Sequence, residues 1–175
     1  MDNRLKRTPG LYLTGFMGSG KTTVARLVAE RIGWDFIDLD AEIEAAEGVT
    51  IAEIFETRGE AEFRRIESEM LRKILLKIQL VVPSVVALGG GTFAQAMNRE
   101  ILAGQGVSVW LDCTIGVIEE RITDAESRPL ARDPQHFRRL YEERRTAYAQ
   151  ADFRVDADCD AEEAVQAILQ LSCWK

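Results

Sequence analysis

At 175 residues, with 46% hydrophobic and 29% charged side chains, the chain is sized and composed for one soluble globular domain with a proper core. Its formal charge of −7 argues against a general nucleic-acid binder, since no basic excess exists to displace counterions, but leaves room for a nucleotide held by local positive charge. The most apolar window, 74–88, is broken by Lys77, Gln79 and Pro83 and is no membrane span, and the charged first ten residues carry no secretory signal.

Leu11–Thr14 is a short apolar run that predicts a strand, and 23–32 follows as a helix with Val24, Leu27, Val28 and Ile32 on one face. Between them, Gly15-Phe16-Met17-Gly18-Ser19-Gly20-Lys21-Thr22 fits G-x-x-x-x-G-K-[ST], the phosphate-binding loop, in the strand–loop–helix context it requires. Glycines let successive N–H groups turn inward, and the helix start adds unpaired donors and partial positive charge. Gly18, Ser19, Gly20, Lys21, Thr22 and Thr23 are thereby the candidate nucleotide contacts. Lys21 carries charge to the terminal phosphates, and the Thr22 hydroxyl is a candidate Mg²⁺ ligand.

A second strand is predicted over 34–40, ending in Asp38-Leu39-Asp40. Two apart on an extended chain, both carboxylates point to one side at the edge where open parallel sheets bind ligands. Alone, Asp-x-Asp reads more simply as an acidic turn opening a helix with Asp40 as its cap; beside a phosphate loop it reads as carboxylates for Mg²⁺. Thr50-Ile51-Ala52-Glu53 is a capping box for a short helix that Gly59 breaks. A longer helix over 60–79 buries Phe63, Ile66, Met70, Leu71, Ile74, Leu75 and Ile78, and Arg64 has Glu60 and Glu67 at helical-neighbour spacing.

The continuously apolar 84–88 predicts a central parallel strand running into Gly89-Gly90-Gly91, a backbone that something approaches closely or a flexible turn. A fourth strand, 107–112, ends in Asp112, a rival for the Mg²⁺ carboxylate. Thr114 is the expected cap of a helix over 115–122. The polar stretch 124–133, with Arg128 and Arg132, reads as a lid or an ordinary surface loop. Asp133-Pro134 starts an arginine-rich helix to about 150, whose His136 has no partner pattern and is expected to face solvent. A last strand, 153–155, and a helix capped at 160–163 close the chain. Three scattered cysteines, Cys113, Cys159 and Cys173, form neither a metal spacing nor a disulfide framework, which suits a reducing cytosol. The alternation predicts an α/β P-loop nucleoside-triphosphate hydrolase fold: about five strands in a mainly parallel sheet, helices on both faces, a single domain over 1–175 with its core at 10–172.

From Leu11 to about Val155 the chain resembles shikimate kinase. Beyond the phosphate loop, the markers are Phe36-Ile37-Asp38-Leu39-Asp40, Ile54-Phe55, the 59–67 block with Phe63-Arg64 and Glu67, Leu88-Gly89-Gly90-Gly91, Arg128-Pro129-Leu130, and Arg144 with Tyr148. The resemblance implies transfer of the ATP γ-phosphate to the 3-hydroxyl of shikimate, on the way to aromatic amino acids, by a cytoplasmic monomer with Mg²⁺ and no nucleic-acid or membrane partner. It further implies that Asp40 contacts shikimate hydroxyls, Asp38 holds Mg²⁺ through water, and Arg64 and Arg144 grip the shikimate carboxylate. Gly90, within Gly89–Gly91, would donate its N–H to the substrate; Arg128 would reach ATP phosphates from the lid, and Arg121 would lie against adenine. Lys21, Asp40 and Arg128 are the expected catalytic set.

Two positions depart from the family. Arg145-Thr146-Ala147 fills a gap where proline is common, and the 156–160 loop is acidic where a basic residue often lies near adenine. The alternatives are a gluconate or nucleoside monophosphate kinase of the same fold, or a nucleotide switch. The absence of Asn-Lys-x-Asp counts against the switch.

Overall fold

In a computed structural model, the protein is described over residues 10–80, 82–122 and 133–174. Five strands form one sheet: β1 Gly10–Thr14, β2 Asp35–Asp38, β3 Ser84–Ala87, β4 Val107–Asp112 and β5 Phe153–Asp156. Their order is β2-β3-β1-β4-β5, and every pairing is parallel. The three inner strands are buried along their whole length, whereas the edge strands β2 and β5 bury only part of theirs. Strands covered on both faces read as apolar runs, as at 11–13 and 85–87; in β4 the run is interrupted by buried Ser108, whose hydroxyl donates to Asp152.

Helices α1 Lys21–Ile32, α2 Leu39–Glu47, α3 Ile51–Arg58, α4 Glu60–Leu80, α5 Ala96–Leu102, α6 Ile115–Arg121, α7 Pro134–Tyr148 and α8 Ala161–Leu169 flank the sheet. Local chemistry sets several boundaries. Thr50 and Glu53 exchange both bonds of a capping box at the start of α3, and the chain passes through Gly59 at φ 81 before α4 begins. Asp133 caps α7 ahead of Pro134, and Asp160 caps α8 through the Glu163 amide at 2.9 Å.

Three expectations are corrected. The second strand stops at Asp38, because the Asp38 carboxylate accepts from the amides of Asp40 and Ala41 and starts α2 at Leu39. Asp40 therefore sits in a first helical turn, and the two carboxylates are not on one side of an extended chain. Thr114 precedes α6 but makes no side-chain cap; its own amide donates to Asp158 Oδ1 at 2.7 Å, so the acidic 156–160 loop ties α6 to β5. His136 is partly covered, with Nδ1 3.0 Å from Arg139 Nη2.

Candidate active site

The carboxyl ends of all five strands lie on one edge of the sheet, and the marked residues gather there. After β1 the chain turns through Gly15 to Gly20, and Gly20, at φ 89, is the residue before α1. The first helix bond runs from the Val24 amide to the Gly20 carbonyl at 2.9 Å, so the preceding turn presents its amides toward the loop. Lys21 Nζ donates to the Phe16 carbonyl at 2.9 Å, which holds the ammonium across the loop. The Ser19 hydroxyl is buried with no hydrogen-bond partner among the described residues, a donor left inside the loop. An oxygen-rich anion fits this arrangement.

At the mouth of the loop, Thr22 Oγ1 donates to Asp38 Oδ2 at 2.7 Å. A hydroxyl and a carboxylate oxygen this close suit a hard cation, and Mg²⁺ characteristically takes one or two protein ligands and completes its shell with phosphates and water. Among the described residues no cluster of three or more His, Cys, Asp or Glu side chains offers a separate cation cage. Asp112, the rival carboxylate, is engaged elsewhere: it is 8% exposed, with Arg145 Nη1 and Arg154 Nη2 each at 2.5 Å.

Asp40 is partly buried in the next position along this edge. Burial pushes its carboxyl up to about 6, with Asp38, Glu67 and Glu44 adding to the rise and the Lys21 charge opposing it. A Cβ placed on Gly89 would lie 2.6 Å from Asp40 Oδ1, 2.9 Å from Thr92 Oγ1 and 3.2 Å from Glu67 Oε1, so only glycine lets the strand end meet these groups.

Arg64, on the first turns of α4, is gripped by Glu67 at 2.9 Å and Glu60 at 3.3 Å. Its guanidinium lies over the glycine turn: a Cβ on Gly91 would meet Nη2 at 2.5 Å. Arg144, on α7, approaches the neighbouring residue, with Nη1 3.6 Å from where a Gly90 Cβ would be, and its guanidinium sits 5.7 Å from the Phe16 ring. Tyr148 donates its hydroxyl to the Gly90 carbonyl, which fixes the peptide between Gly90 and Gly91. Burial raises the Tyr148 phenol to about 12, against the charges of Arg144 and Arg64, so both guanidiniums converge on this point.

Arg121 lies at the β4–β5 end, where it donates to the Cys159 carbonyl at 2.8 Å and reaches Cys113 Sγ at 3.4 Å. The 156–160 loop thus meets Arg121 through a backbone oxygen, its acidic side chains being spent on caps and turns. Arg128 and the lid expected over 124–133 lie outside the described residues, except Asp133, which caps α7.

Two contributors escaped the motif reading. Thr92 donates to Glu67 Oε1 at 2.6 Å and anchors a carboxylate that is only 1% exposed. Phe16, a variable position of the loop motif, packs edge-on against Phe137 and Tyr141 of α7 and joins the phosphate loop to the helix that carries Arg144. An aromatic at a freely variable loop position was the available signal.

The family model described as shikimate kinase matches residues 17–172. The shikimate kinase of Persephonella marina is 40% identical over 149 residues, 85% of this chain and 88% of that one. That of Ruegeria pomeroyi is 41% identical over 164 residues, 91% and 82% respectively. The solved structure of shikimate kinase from Acinetobacter baumannii in complex with shikimate superposes with a TM-score of 0.86 at 35% identity, covering 97% of this chain and 96% of that one.

Proposed function

The chain belongs to the shikimate kinase family, and from that premise we propose how its own side chains carry the reaction. The enzyme transfers the γ-phosphate of ATP to the 3-hydroxyl of shikimate, giving shikimate 3-phosphate and ADP. The phosphate loop 15–22 and the start of α1 receive the ATP phosphates, with Lys21 supplying full positive charge to the group in flight. Thr22, and Asp38 through water, would hold Mg²⁺, which when bound neutralises charge on the phosphates. Arg121 flanks the base.

On the acceptor side, Arg64 and Arg144 receive the carboxylate as planar forks from two different helices, above Gly89–Gly91. Asp40 orients the attacking hydroxyl. Its oxygen forms the new bond to phosphorus, the bond from phosphorus to the ADP oxygen breaks, and the hydroxyl proton passes to Asp40 late in the transfer. A carboxyl titrating at about 6 is a better proton acceptor than an ordinary aspartate and is still ionised at neutral pH. Placement contributes more than prior deprotonation, since an alcohol held in line reacts without free diffusion.

The observation that carries this reading is the convergence of Arg64 and Arg144 on the glycine turn beside Asp40. We further propose a cytoplasmic monomer acting as a single unit with no nucleic-acid partner, in keeping with the charge of −7; no described helix is long and apolar enough to cross a membrane. The test offers shikimate, gluconate and AMP separately and follows ADP release. Shikimate-dependent turnover is expected. Faster turnover with gluconate or AMP would reassign the acceptor, and an ATPase rate indifferent to all three would point to a switch.

A further inference from the structure

Helix α7 carries Arg144 and Arg145 side by side, and successive helical residues point about 100° apart. Arg144 turns to the glycine turn, whereas Arg145 turns to the end of β4. There its Nη1 and Nη2 meet Asp112 Oδ1 and Oδ2 at 2.5 and 3.3 Å. Its guanidinium also lies 5.0 Å from the Trp110 ring centre, and Nη1 donates to the Tyr141 hydroxyl at 2.8 Å. That hydroxyl in turn donates to the Cys113 carbonyl at 2.9 Å.

The helix is held through its side chains. Phe137 and Tyr141 pack edge-on against Phe16, Arg138 forks on Glu119 of α6 at 2.9 and 3.0 Å, and the buried side chains among the described residues are Phe137, Tyr141 and Tyr148. The two fastenings nearest Arg144 along the helix are the Arg145–Asp112 fork and the Tyr148–Gly90 bond, one and four residues further on.

We propose that Arg145, through its fork on Asp112, is a positioning residue that sets where Arg144 meets the carboxylate of the acceptor. This rests on the assignment of Arg144 to that carboxylate. Asp112, at the strand end where a metal carboxylate was an open alternative, is then an anchor for the acceptor side of the site. Removing the fork leaves Asp112 still paired with Arg154, so no buried charge is orphaned and the fold is expected to survive.

The test is a double-mutant cycle with Arg145→Met, which keeps a packed stem against Trp110 but loses the fork, and Arg144→Ala. Arg145→Met is expected to raise KM for shikimate about tenfold, the scale of a small misplacement of a binding group, while KM for ATP moves less than about twofold. In the Arg144→Ala background the same change is expected to add less than about twofold. Arg145→Lys, with charge but no planar fork, should fall between wild type and Met. Equal shifts in both KM values, the full tenfold effect persisting without Arg144, or no effect at all would each overturn the proposal. If Arg145→Met does not fold, Arg145→Lys decides by the same split. Wild type inert toward shikimate would sink the substrate assignment and this inference with it; an active wild type with uncoupled arginines sinks this inference alone.

Discussion

The Thr22 hydroxyl donates to the Asp38 carboxylate at 2.7 Å across the mouth of the phosphate loop, joining two residues 16 apart in sequence. Asp38 does two jobs: one oxygen faces Thr22 and the other caps α2 through the Asp40 and Ala41 amides. Asn caps a helix about as well as Asp, so Asp38→Asn separates the two roles. The variant is expected to melt close to wild type and to need a severalfold higher Mg²⁺ concentration for half-maximal activity. Unchanged Mg²⁺ dependence would remove Asp38 from the metal site.

Lys21→Ala is expected to fold normally, because Lys21 lies at the loop mouth and contributes nothing to the apolar core. Turnover should fall by roughly 10²-fold or more, the scale of losing a donor aimed at developing charge. A folded variant with ordinary turnover would sink the assignment of the phosphate loop.

Asp40 and Asp112 are distinguished by kcat. Asp40→Asn is expected to lower it by roughly 10²-fold or more, whereas Asp112→Asn changes it only a few-fold, its effect falling on KM for shikimate. The reverse ranking would relocate the site.

The same carboxyl predicts a pH dependence with a defined sign. Asp40 must be ionised to accept a proton, so kcat/KM should drop as pH falls through about 6. For stability the direction is opposite. The folded-state value of about 6 lies above the ordinary 3.8, so between these limits the folded protein binds the proton first and gains stability as pH falls. At pH 8 the buried charge is a net cost. Asp40→Asn should therefore melt above wild type at pH 8, with the gap shrinking on acidification below about 6. An equal gap at pH 8 and pH 4 would contradict the burial argument.

The arginine clamp is tested by the substrate's charge. A charge-assisted hydrogen bond contributes about 1.5–3 kcal/mol, so Arg64→Ala and Arg144→Ala should each weaken shikimate binding by roughly 10- to 150-fold and leave ATP nearly unaffected. Wild type should strongly prefer shikimate over an analogue with a neutral amide in place of the carboxylate, and each variant should lose most of that preference. If both keep it, Arg64 serves only its ion pairs with Glu60 and Glu67.

The sequence by itself determined what depends on a few neighbouring residues. The phosphate loop, the Thr50–Glu53 box, the Asp133-Pro134 start and the apolar run of β3 are local patterns, because turns, caps and burial periodicity are decided within about one helical turn or strand. The pairing of Arg64 with Glu67 was equally legible, since three residues on a helix are neighbours by construction. Where two local rules competed, at Asp38-Leu39-Asp40, the carboxylate cap ended the strand two residues early. Only the tertiary structure decided the long-range partners. Glu67 finds Thr92 across 25 residues, and Asp112 finds Arg145 across 33. Arg144 reaches the glycine turn only because α7 returns over the sheet edge. Such meetings are set by the order in which parallel strands pair and helices cross back, and a carboxylate's partner there is whichever guanidinium the fold delivers within about 3 Å, a distance that no spacing along the chain encodes.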